Sequence, residues 1–308
     1  MDIETQLMQK NGLVAMKLAR ELIMMHCHDR IATIDEYSKE YGTGRGTVQS
    51  ALKLLVNYKA IALEAKGHLG TYITNIDYEM LWKFTGLGIV MGVMPLPYTR
   101  AYEGLATGLF NILHEQKIPF SLAYMRGAQT RLNALKFSRY DFAVVSALAA
   151  DVAMNEGLDI DICVNFGKYT YVNAHVLVFG DDNSTQIEDG MKIGVDRSSI
   201  DQTLLTESEC RNKKIQLVDL AYNQIITKLK NGEIQAAILN SDEIIERKLD
   251  IKYYPLRDTD KTTKATEAVI VVSKDNFGLK NLFASLIEKE RVVDYQQQVV
   301  AGDIIPNY

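Results

Sequence analysis

Between residues 87 and 276 the chain repeats one pattern, a short apolar run of strand length followed by a stretch with helical spacing. LGIVMGVM, PFSLAYM and FAVVS are too short for buried helices, and each leads into apolar residues recurring at i, i+3 and i+4. The pattern resumes at MKIGVD, IQLVDL and AAILN. Continuous apolar strands joined through helices belong to a largely parallel sheet covered on both faces, so this region is expected to be α/β. The extended run YVNAHVLVFG separates the two series. EAVIVVSKDN and two helices, FGLKNLFASLIEKE and RVVDYQQQVVAG, close the chain.

An internal echo divides this region. Leu135-Lys136 is followed, eight residues after the leucine, by Ala143-Val144-Val145-Ser146; Leu229-Lys230 is followed at the same offset by Ala237-Ile238-Leu239-Asn240. Both read as helix, turn, buried strand, small polar residue. Two similar lobes account for it, one of about 85–170 with 265–308 and one of about 178–258, joined by extended crossings near 168–180 and 256–268. Together they make a second domain of 85–308.

Residues 1–80 read differently. GLVAMKLARELIMM is helical, with Leu13, Met16, Ala19, Leu22 and Ile23 near one face. Thr33-Ile34-Asp35-Glu36 is a capping box that opens a second helix. The glycines of YGTGRGTVQSAL then precede a third. No strand stands before them, so they are structural hinges and not a phosphate-binding loop. Val48, Ala51, Leu52 and Leu55 form the apolar stripe of the third helix and leave Gly46, Gln49, Ser50 and Lys53 outward, with Arg45 and Thr47 flanking its start. AIALEAKGHLGTYIT follows as two strands around a Lys66-Gly67-His68 tip. Helix, helix, glycine turn, helix and two-stranded wing make a winged helix-turn-helix.

The stretch TGRGTVQSALKLLVNYKAIALEAKGHLGTYI resembles the GntR-type winged helix in Arg45, Thr47, Val48, Ala51, Leu52, Gly70 and Thr71. Gly44 stands where that family often has Ser and Gln49 where it often has Arg, and its Leu-Pro-Ser signature gives way to Ala32-Thr33-Ile34. The resemblance implies double-stranded DNA as partner, with Arg45, Gly46, Thr47, Gln49, Ser50, Lys53, Lys66, Gly67 and His68 at the interface, and a homodimer on a DNA operator. LKNGEIQAAILNSDE and EAVIVVSKDN resemble the second lobe and return strand of the type 2 periplasmic-binding-protein fold. The combination is most similar to the YhfZ family, and implies a regulator whose body binds an effector.

Charge is consistent with a local DNA face. The net charge is −5 overall. Residues 1–77 hold nine basic and nine acidic side chains, but between Lys39 and Lys66 five basic residues face only Glu40 and Glu64. Cys27, Cys163 and Cys210 are too few for a disulfide framework and fit a reducing compartment. With the polar opening MDIETQLMQKNG and no long apolar run, the expected location is the cytoplasm, with no membrane partner. His26-Cys27-His28 cannot converge on one ion, so no metal or cofactor is expected.

Ligands of open α/β sheets sit beyond the carboxyl ends of the strands. Those ends carry Tyr98, Thr99 and Arg100; Arg126; Ser146; Arg197, Ser198 and Ser199; and Asn240. Hydroxyls, helix N-termini and three arginines suit a carboxylate or phosphate, so the expected effector is a small anionic metabolite. The alternative is an enzyme on the two-lobed fold, with the winged helix used for dimerisation. It is disfavoured because no nucleophile elbow, metal cluster or carboxylate pair stands at those ends; His114 and His175 read as helix-end and strand residues.

Overall fold

The computed structural model describes residues 10–257 and 259–308. The first nine residues, on which the polar-terminus expectation partly rests, lie outside the described residues. The chain divides into two compact units. One runs to Val90 and adds Leu113–Phe120 and Ala284–Leu286; the other comprises Met91–Ile112, Ser121–Phe283 and Ile287–Tyr308.

In the first unit, α1 (Lys10–Leu22) buries Val14, Ala15, Leu18, Ala19 and Leu22. This face is rotated about one residue from the expected one, so Leu13 and Met16 are only half-buried. The capping box at Thr33 starts α2 (Ile34–Glu40). The buried Tyr37 and its neighbour Tyr41 both donate their hydroxyls to the Glu21 carboxylate, at 3.1 and 2.7 Å, tying α2 to α1. Gly44 caps α3 (Arg45–Asn57), whose buried stripe is Val48, Ala51, Leu52 and Leu55. The two-stranded wing is present as β2 (Ile61–Ala65) antiparallel to β3 (Thr71–Ile76), and a third strand, β1 (Arg30–Ile31), joins the other edge of β3. Two residues are too few to carry an alternation signal, which is why β1 is invisible in the sequence. At Gly70, φ is +100° and a Cβ would stand 2.5 Å from the Arg30 Nε, so this wing turn requires glycine. Helix α4 (Tyr78–Thr85) is capped by Asp77 and stopped by Gly86 in the left-handed region.

The second unit holds two five-stranded sheets. In the first lobe the order is β5 (Phe120–Tyr124), β4 (Val90–Met94), β6 (Phe142–Ser146), β13 (Ala268–Ser273), β7 (Ile160–Gly167). In the second it is β10 (Gln216–Asp219), β9 (Lys192–Val195), β11 (Ala236–Asn240), β8 (His175–Phe179), β12 (Tyr253–Pro255). Strands β4 and β6 are parallel, as are β9, β10 and β11, but β13 and β8 run antiparallel to their neighbours. These are the strands that enter a lobe directly from a crossing. They start at the cleft end, where β6 finishes at Ser146 opposite Ala268 and β11 finishes at Asn240 opposite His175. The sheets are therefore mixed, with the parallel pairs of the expected largely parallel arrangement flanked by antiparallel ones. Strand β7 alternates burial and is missed by a search for continuous apolar runs.

Helices cover the sheets: α5 (Arg100–Glu115), α6 (Ala128–Lys136) and α7 (Ala147–Asn155) in the first lobe, α8 (Ile200–Glu209), α9 (Ile225–Lys230) and α10 (Ser241–Glu246) in the second. The short α11 (Asp260–Lys264) lies on the return crossing; α12 (Phe277–Leu286) and α13 (Lys289–Ala301) close the chain. The internal echo is real at this level: α6 and α9 lead into β6 and β11, and Ser146 and Asn240 then cap α7 and α10.

Candidate functional site

The outward face of α3 and the wing enclose a shallow concavity to which Arg45, Gly46, Gln49, Ser50, Lys53 and Gly67 contribute. Lys66 and His68 are exposed at the wing tip, and Thr47 is half-buried on the opposite shoulder beside Lys10 and Asn11. Two of the cations are already paired. The Arg45 Nε lies 2.9 Å from the Asp35 carboxylate, and the Lys66 Nζ lies 3.5 Å from Glu64 and 5.0 Å over the Tyr72 ring. All four charged side chains are about half exposed, so the pairs are cheap to exchange for phosphates. A Cβ on Gly46 would meet nothing within 4 Å, so nothing inside this unit requires glycine there.

The second unit holds a cavity of about 90 Å³ at the cleft ends of both sheets. The lobes touch across it. Gly127, at φ +80°, sits so close to Ser198 that a Cβ would lie 2.5 Å from its Oγ, and the Gln129 N–H donates to the Ser198 carbonyl at 3.2 Å. Arg126, from the end of β5, approaches Asp196 at 3.6 Å. Asp196 is buried and fully engaged, accepting from the Ser198 N–H, the Ser198 hydroxyl and the Tyr222 N–H.

Arg131 is the least expected wall residue. It is 2% exposed and donates from Nε to the Val144 carbonyl at 2.9 Å, and from its two terminal nitrogens to the Met125 carbonyl and the Tyr171 hydroxyl, each at 2.8 Å. Three of its five donors are thus used, all on neutral acceptors, and it forms no ion pair among the described residues. A buried guanidinium without a counter-ion is costly.

The same cavity wall holds a buried charge of the opposite sign. Asp201, in the first turn of α8, is 4% exposed and takes the Ser146 hydroxyl at 2.6 Å. It forms no ion pair among the described residues. Burial pushes its carboxyl up to about 6, against the pull of the Ser146 hydrogen bond and the Arg131 charge. His175, at the start of β8, presents an Nδ1 that is sealed from water and has no hydrogen-bond partner among the described residues; burial pushes its imidazole down to about 4. Tyr98, Tyr102, Tyr171 and Tyr222 complete much of the wall, with Tyr102 and Tyr171 edge-to-face at 5.3 Å.

Of the expected ligand residues, Tyr98, Thr99, Arg126, Ser198, Ser199 and Asn240 line this cavity. Arg100, Ser146 and Arg197 do not, each for a local reason. The Arg100 backbone N–H donates to Glu246 and its guanidinium donates to the Val299 carbonyl. Ser146 is fully buried behind the wall, spending its proton on Asp201 while capping α7. Arg197 turns outward to Asp219 at 3.0 Å and Glu207 at 3.8 Å. Sequence reasoning by strand ends missed Arg131 and Asp201, which lie on helices. Arg131 did leave a signal: it occupies an apolar-face position between Ala128 and Leu135. Among the described residues no cluster could hold a metal ion, His26-Cys27-His28 included, and no helix is long and apolar enough to cross a membrane.

A helix-turn-helix head carried on a two-lobed, binding-protein-like body defines the class. The chain belongs to the YhfZ family: the family's C-terminal domain matches residues 77–308, and a helix-turn-helix domain matches residues 26–73. It is 34% identical to the uncharacterized protein YhfZ of Escherichia coli (strain K12) over 303 residues, 97% of this chain and 98% of that one. The crystal structure of YhfZ from Shigella flexneri matches 75% of this chain and 98% of its own, at 34% identity and a TM-score of 0.65. An ancestral arginine-binding protein, solved with arginine, matches 70% of this chain and 97% of its own at 12% identity and a TM-score of 0.52, a likeness of fold alone.

Proposed function

We propose that this protein is a ligand-responsive transcription regulator of the cytoplasm. Its helix-turn-helix head, GntR-like in the residues of α3 and the wing, binds a DNA operator as a homodimer. Its body binds a small metabolite carrying an anionic group, and closure of the lobes about the two crossings alters operator affinity. The observation that carries the sensing half is Arg131: a buried guanidinium with no counter-ion among the described residues, in the wall of a cavity between two lobes, suits an anionic group. The DNA half rests on the helix-turn-helix match and on the exposed polar face of α3.

A mobility-shift titration of the full chain on its own upstream DNA, with and without pooled small carboxylic and phosphate-bearing metabolites at fixed salt, tests both halves. The expected result is operator binding whose Kd moves by roughly 5- to 150-fold when the right pool is added. Binding that no pool alters would leave the head as a DNA-binding module and remove the sensing role.

A further inference from the structure

The cavity wall carries charges of both signs. Arg126 and Arg131 face Asp196, Asp201 and Glu243, and Glu243 is itself paired to Arg247 outside the wall. With Arg247 counted, guanidinium groups and carboxylates are equal in number. Two of the three pairs are made in place, Arg126 with Asp196 and Arg247 with Glu243. What is left is one cation and one anion, Arg131 and Asp201, both buried, each with neutral hydrogen-bond partners, and not paired with each other. An anion alone would satisfy Arg131 and leave Asp201 as an uncompensated buried carboxylate.

Two further features of the wall suit a cation. His175 lines the cavity, and burial holds its imidazole neutral, so it brings no competing positive charge to the wall. Tyr102 and Tyr171 bring ring surface to the same wall, and aromatic rings attract ammonium groups. Carboxylate, uncharged imidazole and phenol rings together are surroundings that suit a protonated amine.

From this geometry we infer that the effector is a zwitterion, an amino-bearing acid whose anionic group meets Arg131 and whose ammonium meets Asp201. The inference rests on the sensing role proposed above and names the chemistry of its ligand. The cavity, about 90 Å³, selects a small member of that class.

The test is isothermal titration and thermal shift on the full chain at pH 7.5 with three matched sets: α-, β- and γ-amino acids; the corresponding hydroxy and unsubstituted acids; and the corresponding decarboxylated amines. The expected result is a binder in the first set alone, raising Tm by roughly 5–10 °C at a 100-fold excess over Kd. Asp201→Asn, which keeps the shape and the Ser146 hydrogen bond, should weaken it by about 30-fold or more. The ligand-free Tm of that variant shows that it is folded. An amine-free acid that binds as tightly as its amino counterpart, or an amino acid bound equally by the Asp201→Asn protein, overturns the zwitterion and leaves an acid-sensing regulator standing. If no member of any set binds, the sensing role falls, and this inference with it.

Discussion

Asp201 and His175 are buried titratable groups whose linkages to stability oppose each other. The Asp201 carboxyl, ordinarily at 3.8, rises to about 6 in the fold, so the folded protein takes up a proton the unfolded chain does not and gains stability as pH falls from about 6 to 4. The His175 imidazole, ordinarily at 6.5, falls to about 4, so the unfolded chain takes up the proton first and stability is lost over nearly the same window. In the ligand-free protein the two nearly cancel. Denaturant titrations should find Asp201→Asn more stable at pH 7 by roughly 2–3 kcal/mol. That variant should then lose about 1 kcal/mol per pH unit between pH 6.5 and 4, with the imidazole slope unmasked. Identical pH slopes in parent and variant would mean that Asp201 is not held as described. Residue-scale reading of the sequence stopped short of this pair, because helical position hid Asp201, and nothing in YVNAHVLVFG distinguishes a cavity histidine from a packed one.

The elements that position the two sites make separate predictions. On α3, Arg45 is held by Asp35 at 2.9 Å, so removing that carboxylate frees a cation at the proposed DNA face and removes a repulsive charge. Asp35→Asn should tighten operator binding by about 2- to 5-fold at low salt, an advantage that fades as salt rises; weaker binding would move the DNA face elsewhere. Gly46 costs helix stability without any packing need. Gly46→Ala should therefore raise head stability by roughly 0.5–1 kcal/mol in thermal unfolding, while a larger residue such as Gln should weaken operator binding. At the β5–α6 turn, Gly127 allows the lobes to meet. Gly127→Ala, strained at φ +80° and ψ 128° and blocked by Ser198, should hold them apart and weaken effector binding about 10-fold or more by calorimetry, an estimate resting on a cost of about 1–3 kcal/mol for a side chain in a sparsely populated backbone region. Elements were largely legible in the sequence because periodicity records burial: α3, the capping box at Thr33 and the corresponding strands β6 and β11 of the two sheets stand where the pattern sets them. The misses are β1, β7 and β12, together with the antiparallel direction of β8 and β13; each is set by partners far along the chain, and a local pattern holds no direction.

At the scale of the whole molecule, a helix-turn-helix head is joined to a two-lobed body, and the function proposed for them is to read DNA and to close on a zwitterion. The sequence announced that architecture through motifs covering each part, whereas the cavity's charge pairing depended on distances no spacing rule supplies. Homodimeric helix-turn-helix heads read half-sites about 10 bp apart or at multiples of that. In the proposed homodimer Arg45 would contact a base edge and Lys66 a phosphate. The most direct test of the central claim is a fluorescence-anisotropy titration of the full chain on its upstream DNA and on a scrambled duplex of equal length, at one stated salt near 150 mM. The expected result is binding to the upstream DNA at least about 10³-fold tighter than to the scrambled duplex. Arg45→Ala is expected to cost the upstream DNA alone about 10-fold or more. Equal affinity for the two duplexes, or an Arg45→Ala protein as selective as the parent, would contradict that claim.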